Sequence, residues 1–158
     1  ILARRGQDSA KQPQLVNIVK SKFILFPHAK SSALGVLYAW DEQTAIDLSM
    51  EILHAGNKNP LYDDALMHLA RRKYEPAYPY VLELAQGPDP MATAAVTCLQ
   101  DYAKPEAIPI LEEMLTKIRT HDKFIKQIDR RRILEAIETI KKQNIAHMQS
   151  LQGASSVP

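Results

Sequence analysis

The sequence predicts an all-α protein, an α-solenoid of antiparallel helix pairs closed by a capping C-terminal helix. Three observations predict it. When the chain is shifted by 30 residues, the stretch from Pro60 falls on the stretch from Pro90: Ala65 on Ala95, Leu69 on Leu99, Ala77 on Ala107, Pro79 on Pro109 and Val81 on Leu111. A further copy lies upstream at an offset of 32, where Ala33, Leu37, Ala45 and Leu53 precede Ala65, Leu69, Ala77 and Ala85. Prolines recur where helices should start. A period of this size marks a unit that cannot bury its apolar face alone and stacks on copies of itself.

Residues 1–12 are polar and aperiodic and read as a mobile lead-in to one repeat domain over 13–149. From Pro13 the apolar positions Leu15, Val16, Ile18 and Val19, then Phe23, Leu25 and Phe26, predict a helix ending near Pro27. The run 22–26 also resembles a strand, but a lone strand has nothing to pair with. Repeats follow at about 31–56, 59–87 and 89–117. The first pairs a helix over about 31–40 with one over about 42–55, stopped by Gly56. Asn59 before Pro60, and Asp89 before Pro90, give an N-cap followed by proline at the first helical position. Pro76 and Pro105 open the second helices, and Pro79 and Pro109 stay within or near a first turn, where a missing N–H costs little. After Leu115 the pattern loosens, then resumes with Ile133, Ile137 and Ile140 in a degenerate cap over 122–145. Residues 150–158 are small and polar and read as a disordered tail.

At 158 residues and 46% hydrophobic, the chain is sized for one domain without staples. Its single Cys98 excludes an internal disulfide. No run reaches the ~18 apolar residues of a membrane span, so a soluble protein is expected. The compartment is left open, the cytoplasm being favoured over an exported domain. Because the chain opens at Ile1 rather than Met, it reads as a fragment of something longer. A net charge of +2 hides an acidic middle: residues 31–116 carry thirteen acids against five Lys/Arg, while both ends are basic. Such asymmetry steers partners.

Helix pairs of about 30 residues, with an A-x-x-x-L first helix and a short second helix built on alanine and proline, resemble HEAT repeats of the short, bilin-lyase-like, armadillo-type subclass. The resemblance covers roughly 31–117, with a weaker fit at 129–145. Leu34, Gly35 and Tyr38 match part of the tetratricopeptide motif, but the 30-residue register favours HEAT. The resemblance implies a curved scaffold for protein partners. Some relatives are enzymes, and the di-iron hydroxylases of this architecture use His-Glu dipeptides. Here His28, His54, His68, His121 and His147 precede Ala, Ala, Leu, Asp and Met, so that activity is not implied.

Candidate sites divide by chemistry. No Gly-rich phosphate loop, nucleophile motif or metal-ligand spacing occurs, so no catalytic, cofactor-binding or metal residue is expected. His68 and Cys98 share a register, yet two candidates are short of the four ligands zinc usually takes. Asp63 and Asp64 lie in a first helical turn, where acids complement the dipole. Trp40, Arg72 and Tyr102 occupy equivalent positions in three repeats, with Tyr74 and Tyr78 nearby. That is the composition of a binding hot spot and equally of residues sealing turns. Glu83, Glu112 and Glu113 belong to second helices and build a negative field. Arg130, Arg131 and Arg132 read either as a solvated face or as an anionic-partner patch with Lys117, Arg119, Lys123, Lys126, Lys141 and Lys142.

The reading is therefore a non-enzymatic protein–protein interaction scaffold that takes a basic or proline-containing segment on an acidic, aromatic-edged face. The alternative is a HEAT-like lyase or nucleic-acid-acting enzyme subunit, or a nucleic-acid binder through the basic C-terminal helix. Limited aromatic interleaving argues against nucleic acid.

Overall fold

Apolar residues at three- and four-residue steps dictate helices with one buried stripe, and helices are what the chain forms. The computed structural model describes residues 12–21, 27–87, 92–120 and 128–154. Among them are α1 (Gln12–Lys20), α2 (Pro27–Trp40), α3 (Glu42–His54), α4 (Tyr62–Arg71), a 3-10 turn (Glu75–Ala77), α5 (Tyr78–Gln86), α6 (Ala92–Tyr102), α7 (Ala107–Thr120) and α8 (Ile128–Ala154). No strand occurs among the described residues. The lead-in over 1–11, the strand-like run 22–26, the Asp89 and Pro90 start signal, residues 121–127 and the tail over 155–158 lie outside them.

The described residues divide into two compact units at the Leu69–Ala70 bond, within α4, where the sequence reads one domain. In the first unit α1 packs on α2, and α2 on α3. Pro27 opens α2 rather than closing the preceding helix, which corrects the expectation. Its fixed φ suits the first helical position, where no partner is needed for the missing N–H. The stripe Ala33, Leu34, Leu37 and Tyr38 of α2 and the residues Ala45, Leu48, Ile52 and Leu53 of α3 are all buried, and the two helices pack on each other. Buried Ser49 accepts the Tyr38 hydroxyl at 2.7 Å, so the polar groups in this seam satisfy each other.

The break between α2 and α3 is made by Asp41. Its carboxylate caps α3 by accepting from the Thr44 amide at 3.1 Å and the Thr44 hydroxyl at 2.7 Å. Those bonds hold its pKa below the ordinary value, the Thr44 hydroxyl contributing most. The Gln12 amide also donates to Asp41, tying the start of α1 to this turn. At the other end of α3, Gly56 takes φ +88° and its N–H bonds the Leu53 carbonyl at 3.0 Å. Asn59 then folds its own turn, Oδ1 accepting from the Leu61 N–H at 3.0 Å, and α4 starts at Tyr62.

In the second unit α5 packs on α6 and α7, and α8 packs on α6 and α7. Its core holds Ala77, Val81, Ala95, Cys98, Leu99, Ala107, Leu111, Ile133 and Ile140, none exposing measurable surface. Lys73 and Ala103, thirty residues apart, both take positive φ, +52° and +56°. Each lies one or two residues past a helix end, the position that releases a chain from α-geometry. Helix α8 runs on to Ala154, taking in the first five residues of the stretch that the sequence reads as a tail. Its buried stripe is Ile133, Ala136, Ile137 and Ile140, whereas Ile145 and Met148 are exposed.

Candidate interaction surface

The anchors aligned by the repeat register are buried: Ala33, Leu37, Ala45 and Leu53, then Ala65, Leu69, Ala77, Val81 and Ala85, then Ala95, Leu99, Ala107 and Leu111, each at most 4% exposed. The aligned prolines Pro60, Pro79 and Pro109 are exposed. Function therefore has to be carried by what stands between the anchors.

Four of the six tyrosines, Tyr74, Tyr78, Tyr80 and Tyr102, lie in the second unit. Tyr74 precedes the 3-10 turn, and its carbonyl accepts the Tyr102 hydroxyl at 2.6 Å. The Tyr78 and Tyr102 rings meet edge to face with centroids 4.9 Å apart, and Lys104 Nζ stands 4.2 Å above the Tyr78 ring. The same ammonium lies 2.5 Å from Glu75. Tyr78 and Tyr102 are consequently buried and hold the turn closed, while Tyr74 and Tyr80 are half-buried and Arg72 is exposed. The buried Tyr78 hydroxyl has no hydrogen-bond partner among the described residues. Desolvation, with the charges of Glu106 and Glu75, pushes its pKa up to about 12. In the first unit Trp40 closes α2 and is half-buried.

The acids lie on the outside. Glu83 on α5, and Glu112 and Glu113 on α7, are exposed, as is Glu106 just ahead of α7. Among the described side chains of α5, and of α7 before residue 117, these three helix acids are the only charged ones. Glu83 and Glu113 each follow a buried anchor by two residues, Val81 and Leu111, on helices that pack together. Lys104, the cation between these elements in sequence, is engaged by Glu75.

Arg130, Arg131 and Arg132 are exposed near the start of α8, and Arg131 pairs with Glu135 one turn on at 2.7 Å. Lys123 and Lys126 of the same patch lie outside the described residues. His68 stacks on Tyr38 with centroids 4.6 Å apart, beside Gly35, where an added Cβ would make only ordinary van der Waals contact with the imidazole. Cys98 is wholly buried. No group of three or more His, Cys, Asp or Glu that could hold a metal occurs among the described residues.

Lys30 is the residue that sequence reasoning passed over. It is 7% exposed, and it lies three and four residues before Ala33 and Leu34 on the buried stripe of α2. That spacing was the available signal. Comparison with known proteins gives no match: no family model, curated protein or solved structure aligns with the chain.

Proposed function

We propose that the chain is a non-enzymatic protein-interaction scaffold of stacked, HEAT-like helix pairs, whose second unit takes a basic, proline-containing partner segment along α5 and α7. One observation carries the reading. Glu83 and Glu113 are exposed at equivalent register positions on two packed helices, each two residues past a buried anchor, Val81 and Leu111. Like charges repeated in register build a field that steers a cationic segment. Half-buried Tyr74 and Tyr80 offer amphipathic contact surface in the same unit, and buried Tyr78 and Tyr102 fix the turn that presents Tyr74.

The test is association of a labelled peptide of alternating arginine and proline, followed by stopped flow at several salt concentrations. The double variant Glu83→Lys with Glu113→Lys should associate about tenfold more slowly at low salt, with a flatter salt dependence. An alternating glutamate–proline peptide should not bind the native chain. Unchanged rates and salt dependence in the double variant would place the interface elsewhere.

A further inference from the structure

In the first unit a cavity of about 500 Å³ opens between α1, α2, α3 and the turn leading into α4. Val19, Leu48 and Ile52 form apolar wall, and among the described residues the charged groups lining it are Lys20, Lys30 and Glu51. Glu51 is already matched, since Lys20 Nζ lies 2.7 Å from its carboxylate in a pair at least half exposed to solvent. Lys30 is different. At 7% exposure its ammonium donates to the Ser21 carbonyl, a neutral acceptor, and no described carboxylate pairs with it. An ammonium removed from water needs a compensating charge, because a carbonyl replaces only part of its lost hydration. Among the described residues, two cations and one carboxylate leave the cavity with one positive charge unmatched.

We propose that this cavity binds a small amphipathic carboxylate of the free fatty-acid type, its head group on Lys30 Nζ and its chain along Val19, Leu48 and Ile52. The volume is in the range of small-molecule sites, and one charged group set in an apolar wall is how such sites orient a ligand. One unmatched ammonium suits one negative charge. A phosphoryl group brings nearly two, with three strong acceptor oxygens, more than these side chains compensate. The site is independent of the acidic surface on α5 and α7.

The experiment titrates the full chain with hexanoate, octanoate, decanoate and decanol, reading the methyl resonances of Val19, Leu48 and Ile52 by NMR. Affinity should rise about three- to fourfold for each added methylene. Decanoate should bind at least about tenfold more tightly than decanol, and Lys30→Met should remove that preference while leaving the decanol affinity in place. Should Lys30→Met fail to fold, the acid–alcohol comparison in the native chain decides. Equal binding of acid and alcohol, no shift at millimolar acid, an acid preference that survives in a folded Lys30→Met chain, or shifts confined to other methyls would each overturn the assignment.

Discussion

Tyr102, the last residue of α6, donates its hydroxyl to the carbonyl of Tyr74, 28 residues earlier, at 2.6 Å. That carbonyl also accepts the Ala77 N–H at 3.0 Å, so one oxygen ties the 3-10 turn both to itself and to α6. Tyr102→Phe should destabilise by about 1–1.5 kcal/mol, lowering the melting temperature by several degrees. Tyr78→Phe is the contrast. Its hydroxyl is buried without a partner among the described residues, so removing it should be neutral or stabilising. Equal losses in the two variants would show that ring packing, not the hydrogen bond, holds this turn.

The same phenol gives a pH dependence. A folded-state pKa raised from 10.0 to about 12 means that the folded chain resists ionising Tyr78 more than the unfolded chain does. Stability from this group is complete below pH 10 and is lost as pH rises through 10 towards 12. Spectrophotometric titration should show Tyr78 ionising late, and Tyr78→Phe should remove that step and its share of the alkaline destabilisation. A titration that Tyr78→Phe leaves unchanged above pH 10 would contradict the buried placement.

Lys73 and Ala103 hold left-handed backbone with side chains that disfavour it. Replacing either by glycine should stabilise by about 0.5–1 kcal/mol, the relief of strain being partly offset by the freer unfolded chain. Gly56→Ala should do the reverse, costing about 1–2 kcal/mol, and since nothing lies within 4 Å of the new methyl the cost is conformational alone. Chemical denaturation reads all three, and a loss of stability in both glycine variants would mean that these turns relax in solution.

Ala65 and Ala95 expose no surface and align in the 30-residue register. Ala65→Leu and Ala95→Leu should each cost about 1–3 kcal/mol by overpacking. Ala39→Leu, on the exposed side of α2, should stay within about 0.5 kcal/mol. Thermal melts in which Ala65→Leu and Ala95→Leu leave stability unchanged would refute the shared role of these positions.

The helical character of the chain and the apolar stripes that its helices bury are legible in the local pattern of residues. A helix repeats every 3.6 residues, so Ala65, Leu66 and Leu69, or Ala107, Leu111 and Met114, declare a buried face without reference to the rest of the chain. Prolines and Gly56 mark the ends because their backbone limits are local. Pro27 was misread from sequence because a proline fits both just beyond one helix and at the start of the next. The fate of amphipathic side chains, by contrast, is set by packing between helices. Tyr78 and Tyr102 are buried because Lys104, Glu75 and the Tyr74 carbonyl, set in place by the packing of α5, α6 and α7, close over them. Lys30 sits on an apolar stripe, and only the joint placement of α1, α2 and α3 turns that position into a charge facing a cavity. Periodicity fixes which way a side chain faces, and the neighbouring elements fix what it meets there.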